Sequence, residues 1–177
     1  QADNALSAGR LVQADAMPST LELAKLPDAA SAVALSRAEY HMAQGNVEKA
    51  ENALAKIGEN PRKECRAERV SGWIAGKSGQ WNKAILRLAD AIDLCGEGAD
   101  LWNLFGLALI GKKEYSAALE AFDSALILDP KNAALLSNRA LASVASGRLD
   151  AALQDLAEAR RLQPGNLVIM GNADYLS

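Results

Sequence analysis

Aromatic residues, histidine and an excess of either charge are all scarce in this chain. Aromatic residues make up 5% of its 177 residues. Ala and Leu dominate the apolar half and few residues are β-branched, which favours close-packed helices over a sheet. The fold class is therefore predicted to be all-α. The length suits a single folding unit with its own core.

Positive charge is too sparse to suggest nucleic acid binding. The 19 Lys and Arg residues are outnumbered by 22 Asp and Glu, which gives a formal net charge of −3. Because the basic residues are scattered among acidic ones, no basic stripe is available to a phosphate backbone. Apolar runs such as residues 104–111 fall far short of the roughly 20 residues that span a bilayer. We predict neither nucleic acid as a partner nor direct membrane insertion.

The sequence motifs of active sites and metal centres are missing too. The single histidine, His41, and two widely separated cysteines cannot supply a zinc site. No glycine-rich phosphate loop precedes a Lys-Ser/Thr pair, and no G-x-S-x-G turn occurs. We therefore expect no enzymatic activity, no catalytic residue, no metal and no cofactor.

What the chain does contain is an internal repeat with a period of 34 residues. Small residues recur in phase at Ala50, Ala84, Ala118 and Ala152, and large apolar residues follow them at Leu54, Leu88, Phe122 and Leu156. A second row of small residues runs through Ala38, Gly72, Gly106 and Ala140. The spacing predicts turns at Gly45, Gly79, Lys113 and Gly147, where only Lys113 is not glycine.

This spacing predicts two short helices per unit, joined by a turn in which glycine supplies the left-handed conformation. Small residues at the helix crossing let the backbones approach, and the large residue one turn away fills the space beside them. The predicted organisation is a degenerate partial repeat at 1–30, four units at 31–64, 65–98, 99–132 and 133–166, and a capping helix or start of a further repeat at 167–177.

The third unit resembles the signature of the tetratricopeptide-repeat (TPR) family. The matching residues are Trp102, Gly106, Tyr115, Ala118, Phe122, Ala125 and Pro130. The fourth unit keeps part of the pattern, whereas in the first two units Ala34 and Glu68 replace the first-helix Trp and Gly96 replaces the closing Pro. The resemblance implies an α-solenoid of antiparallel helix pairs wound into a right-handed superhelix. The Ala-rich repeats are also loosely similar to TPR proteins of bacterial tight-adherence pilus assembly.

The resemblance further implies a bacterial scaffold or adaptor without chemistry of its own, which holds a protein or peptide in a concave groove. First helices line that groove in the family. The positions implied here are Leu35, Glu39, Met42, Arg66, Arg69, Trp73, Lys77, Asn103, Leu107, Ile110, Ser137, Leu141 and Val144. Trp73 is the predicted anchor, because exposed Trp is favoured in interfaces.

The implied groove lacks the carboxylate clamp of chaperone-binding TPR domains, since its ninth positions hold Glu39, Trp73, Leu107 and Leu141 in place of Asn. It instead combines an apolar floor (Leu107, Ile110, Leu141, Val144) with a basic rim (Arg66, Arg69, Lys77). That combination suits an amphipathic helix or an extended segment with acidic residues. The alternative is a structural or self-oligomerising module, or a packing domain of a longer chain, in which other helices cover the apolar residues.

Cys65 and Cys95 form a candidate disulfide, because one opens the first helix of a unit and the other closes its second. A bridge requires Cα atoms within about 7 Å. The alternative is two isolated small apolar residues. A bridge would indicate an oxidising compartment such as the periplasm. The opening residues QADNALSAG carry no signal-peptide pattern, which leaves periplasm and cytoplasm both open.

Overall fold

The computed structural model describes residues 27–57, 65–96, 98–166 and 169, and within them the chain forms eight α-helices and no strand. The helices are α1 (Pro27–Ala43), α2 (Val47–Leu54), α3 (Cys65–Lys77), α4 (Trp81–Cys95), α5 (Ala99–Gly111), α6 (Tyr115–Leu128), α7 (Ala133–Ala145) and α8 (Leu149–Leu162). The all-α prediction is confirmed. The predicted flanking units at 1–30 and 167–177 lie outside the described residues, apart from residues 27–30 and 169.

Each helix pair turns through one residue in the left-handed conformation. The four residues are Gly45 (φ 71°), Gly79 (φ 71°), Lys113 (φ 67°) and Gly147 (φ 78°). In the second pair the amide of Gln80 donates to the carbonyl of Ala75 at 2.8 Å and that of Gly79 donates to Gly76 at 3.1 Å. These hydrogen bonds give donors to the carbonyl groups at the C-terminus of the helix, which would otherwise be unpaired. The predicted turns are confirmed. Lys113 adopts the left-handed conformation although it has a side chain.

Small residues let the paired helices approach each other closely. Ala50, Ala84, Ala118 and Ala152 are fully buried. A Cβ atom on Gly72 would lie 2.5 Å from Leu88 Cγ, and one on Gly106 would lie 2.8 Å from Phe122 Cε1. Such distances are well inside van der Waals contact, so these two glycines are required by packing. The predicted pairing of a small residue with a large partner is confirmed for these two units.

Capping residues fix several helix ends. The Asn132 side chain accepts hydrogen bonds from the amides of Ala134 at 3.1 Å and Leu135 at 3.2 Å at the start of α7. Asn46 accepts one from the Lys49 amide at the start of α2. Pro130 and Pro164 follow the ends of α6 and α8, where a residue without an amide proton cannot extend the helix.

The first helices of successive units lie side by side, and polar side chains join them. Asn138 Nδ2 on α7 donates to Asn103 Oδ1 on α5 at 2.8 Å. Arg69 on α3 donates to Asp100 on α5 at 2.8 Å. Helices α1, α3, α5 and α7 therefore form one continuous surface, which we call the first-helix face.

Candidate binding groove

The first-helix face carries the residues that the sequence assigned to a groove, but it does not expose all of them. Leu35 and Ser137 are buried, so their predicted place in the groove is wrong. Each lies three residues before the small crossing residue of its unit, Ala38 or Ala140, and therefore shares the buried side of its helix. Met42, Ile110 and Val144 are half-buried and pack on core clusters. Exposed members are Arg66, Lys77, Leu107 and Leu141.

Trp73 is a buried core residue. Its exposed fraction is 9%, and it packs in a cluster that includes Ala38, Val70 and Ile74. The prediction of a solvent-facing indole is therefore wrong. The same cluster contains Ala50 and Ala53 of α2, so residues of the preceding unit cover the indole.

One half of the first-helix face, formed by α1 and α3, is closed by ion pairs. Glu39 accepts from Arg66 Nε at 2.9 Å and from Arg69 Nη2 at 2.7 Å. Arg69 also donates to Asp100. The predicted basic rim is corrected accordingly, because the charges of both arginines are compensated within the protein. Only Lys77 of that rim has no ion pair among the described residues.

The ion pairs set the titration of Glu39. Burial by itself raises the pKa of this carboxyl group, but hydrogen bonds and charge from Arg66, and then from Arg69, outweigh burial and hold the pKa below its usual value. Glu39 therefore stays ionised between the two guanidinium groups at neutral pH.

A disulfide lies beside this polar half. Cys65 at the start of α3 is joined to Cys95 at the end of α4, with their Cα atoms 5.5 Å apart. That separation is typical of bridged cysteines. Both cysteines line the same surface depression as Glu39, Arg66 and Arg69. The bridge therefore ties the two ends of one helix pair together next to the ion pairs.

The other half of the face, formed by α5 and α7, exposes two large apolar side chains. Leu107 is 38% exposed and Leu141 is 43% exposed. They occupy equivalent positions 34 residues apart. Asn103 lies one turn before Leu107, and its side chain accepts the hydrogen bond from Asn138. The apolar floor predicted from four residues is therefore reduced to these two leucines.

A pocket of about 400 Å³ opens between α3, α4 and α5, next to Leu107. Its lining residues are Gly72, Trp73, Gly76, Lys77, Trp81, Leu88, Leu104, Leu107 and Ala108. We call it the tryptophan slot. Sequence reasoning missed Trp81, although it begins α4 where Tyr115 begins α6, 34 residues later. It missed Gly76 as well, because glycine usually marks the end of a helix, and Gly76 is indeed the penultimate residue of α3.

Repeat geometry of this kind is matched by a known family. The family profile described as Tetratricopeptide repeat matches residues 70–133 and again residues 103–166. Together the matches span more than half of the chain. The chain belongs to the tetratricopeptide-repeat family.

Relatives of this TPR protein agree with that assignment. It is 35% identical over 89 residues to a TPR repeat-containing thioredoxin of Arabidopsis thaliana, a match that covers 50% of this chain and 12% of the relative. The matched residues thus span about an eighth of the length of that curated relative.

Solved TPR structures share its fold. A chain in the APC/C hetero-tetramer Cut9-Hcn1 superposes with a TM-score of 0.77 and 20% identity over 82% of this chain and 30% of that chain. The second TPR domain of human RPAP3, solved in complex with the HSP70 peptide SGPTIEEVD, superposes with a TM-score of 0.57 and 23% identity. That match covers 64% of this chain and 98% of that domain. Family and fold support a general role as a protein–protein interaction scaffold, and TPR proteins are typically not enzymes.

Two further findings concern the described part of the chain. No helix there is both long and apolar enough to cross a membrane. Across residues 27–57, 65–96 and 98–166, no group of three or more His, Cys, Asp or Glu side chains is placed to hold a metal ion.

Proposed function

We propose that this TPR protein is a non-enzymatic adaptor that binds a peptide segment of a partner on its first-helix face during assembly of a larger bacterial complex. The observation that carries the proposal is the pair of exposed leucines, Leu107 and Leu141, on neighbouring first helices. Apolar side chains held at repeated positions on a rigid helical surface suit the alternate or helical anchors of a bound segment.

The tryptophan slot supports the same location. It adjoins Leu107, and its volume of about 400 Å³ is within the usual range for a binding pocket. The α1–α3 half of the face offers a partner less, because Glu39 and the two arginines already satisfy one another. Binding is therefore centred on α5, α7 and the slot.

A random dodecapeptide library displayed on phage tests this proposal, because such a selection does not require the partner to be identified. Selected peptides are synthesised and titrated against the wild type and Leu107→Ser/Leu141→Ser. We expect this variant to bind them at least about tenfold more weakly, because two lost apolar anchors each cost of the order of 1 kcal/mol or more.

Two exposed apolar residues on second helices provide a matched control. Leu86 on α4 is 60% exposed and Ile127 on α6 is 80% exposed. We expect Leu86→Ser/Ile127→Ser to bind the peptides as the wild type does. Weaker binding by this control, with normal binding by the groove variant, would place the site on the second helices.

Self-association is the second candidate function, and the exposed second-helix residues favour it. Leu94 and Leu128 are both exposed near the ends of α4 and α6, at equivalent positions in their units. A second copy could cover this row of apolar side chains. Light scattering decides the matter: a mass that stays monomeric as concentration rises contradicts self-assembly.

The disulfide supports an oxidising compartment such as the periplasm, since such bridges rarely persist in a reducing cytosol. Mass spectrometry of protein isolated from its native cells, alkylated without reduction, measures this. We expect no alkylated cysteine. Two alkylated cysteines would contradict the location.

A further inference from the structure

The tryptophan slot exists because α3 carries two glycines, and only one of them is required by packing. A Cβ atom on Gly72 would collide with Leu88. A Cβ atom on Gly76 would meet only Ala84 Cβ, at an ordinary 3.9 Å. Gly76 is the penultimate residue of α3, and its backbone is not in the left-handed conformation, so the helix end does not require glycine there either. Packing therefore does not explain Gly76, whereas an open slot does.

The walls of the slot are apolar and rigidly placed. Trp73 belongs to the core, and Trp81 lies against α5, where a Cβ atom on Gly111 would be 2.4 Å from its indole Cε3. Leu104 and Leu107 of α5 also line the slot. Two indole rings and the leucine side chains favour a bulky apolar group, since such a group would bury apolar surface against them.

Lysine residues lie at the slot and beside it. Lys77 lines the slot, and a second depression that shares Trp81 with it is lined by Lys83 and Lys112. Lys112 pairs with Glu114 at 2.9 Å. Lys77 and Lys83 form no ion pair with any described residue. These two ammonium groups differ from the arginines of the polar half, whose charge is compensated, and they are available to a carboxylate.

We infer that the tryptophan slot holds one bulky apolar side chain of the partner peptide, and that acidic side chains flanking it pair with Lys77 and Lys83. This inference rests on the proposed function and names the chemistry of its ligand. The apolar side chain supplies affinity by leaving water, and the charges select peptides in which acidic residues lie next to it.

The phage selection described above also tests the inference. From the wild type we expect peptides that share a Phe, Leu, Met or Trp with Asp or Glu on either side. Gly76→Leu fills the slot from within, so we expect it to bind those synthetic peptides about tenfold more weakly. Gly76→Met is a second, more flexible plug. Circular dichroism and thermal melting of both variants show that the fold is retained.

The charge part has its own variant and its own probes. Lys77→Gln/Lys83→Gln is titrated with a selected peptide and with the same peptide after Glu→Gln replacement. We expect the wild type to prefer the acidic form by about tenfold and the variant to lose that preference. Added salt should weaken binding of the acidic form to the wild type.

The outcomes separate this inference from the proposed function. If Gly76→Leu and Gly76→Met bind the peptides normally and Leu107→Ser/Leu141→Ser does not, the slot is not the binding site, but the proposed function on the first-helix face stands. Selected peptides without acidic residues overturn the role of Lys77 and Lys83. A library that yields no peptide at all overturns both proposals.

Discussion

The two halves of the first-helix face have the same backbone and opposite surfaces. On the α1–α3 half, Glu39 is held between Arg66 and Arg69, and a disulfide lies next to them. On the α5–α7 half, Leu107 and Leu141 face solvent at the positions equivalent to Glu39. A repeat thus fixes where a side chain lies, while its identity in each unit decides whether the surface is closed or available.

The difference also separates stability from binding. Charged groups that pair internally must be desolvated and unpaired before they can serve a partner, so the polar half offers little gain on binding. The exposed leucines have no such cost, and their burial by a partner is favourable. We expect changes to the ion pairs and the disulfide of the first half to alter folding, and changes to the exposed leucines of the second half to alter binding.

The largest effect in the polar half is expected from the disulfide. Cys65→Ala/Cys95→Ala should lower the free energy of unfolding by about 2–4 kcal/mol, because the unfolded chain regains the freedom of an open loop. Urea denaturation with and without reductant measures it. The urea midpoint of the double variant should be the same with and without reductant. Identical midpoints for oxidised and reduced wild type would remove the disulfide from the stability of this half.

A smaller effect is expected at Glu39. Glu39→Gln should cost about 1–3 kcal/mol, because it leaves Arg66 and Arg69 without their shared counter-charge. As the folded pKa of Glu39 lies below its usual value, its contribution is fully present above the unfolded pKa and is lost as the pH falls through the folded pKa. Denaturation midpoints measured from neutral to acidic pH should therefore converge for wild type and variant.

Glu158 provides the matched control for that pH series. It pairs with Arg161 three residues away on exposed α8. We expect Glu158→Gln to melt as the wild type does, since an exposed pair within one helix contributes little. If both variants lost equal stability, the polar half would be no different from an ordinary surface ion pair.

The turn of the third unit should yield a modest gain in stability. Lys113 occupies the left-handed conformation that glycine holds in the other three turns. Lys113→Gly should raise the free energy of unfolding by about 0.5–1 kcal/mol, since it relieves the clash of a Cβ atom in that conformation. Gly79→Ala in the polar half should lower it by a similar amount. Thermal melting of the two variants compares them directly.

The smallest effect on folding is expected at the exposed leucines. Leu107→Ser should change the free energy of unfolding by less than about 0.5 kcal/mol, because the side chain is already in contact with water. Leu109, two residues away and buried, provides the contrast: Leu109→Ser should cost about 2–5 kcal/mol. A large cost at Leu107 would mean that this half of the face is packed after all.

The fold could be predicted because its signals are local and repeated. The buried residues Ala50, Ala84, Ala118 and Ala152 define the helix crossings at the period read from the sequence. The turn at Lys113 followed from its place in a row of glycines, although its left-handed conformation was not predicted. Each such position is tested several times within one chain, so a single irregular residue does not obscure the pattern.

The surface was harder to predict because it depends on distances between units. The sequence predicts a basic rim at Arg66 and Arg69, but their carboxylate partners lie 27 to 31 residues away on neighbouring first helices. Pairing of that kind depends on side-chain reach across a helix interface. The slot at Gly76 is hidden in the sequence for another reason: it is formed by a missing side chain, and glycine is more often a sign of a turn.

The disulfide also limits how far this solenoid can be stretched. Units that contact mainly their neighbours give way one after another when the ends of a repeat protein are pulled apart. Cys65 and Cys95 are 30 residues apart and enclose most of one unit, so the closed bridge withholds about 100 Å of extended chain from a pulling force. Under a mechanical load, the protein with the bridge closed would extend less than the reduced protein. Its second unit could refold from a closed loop only while the bridge is oxidised.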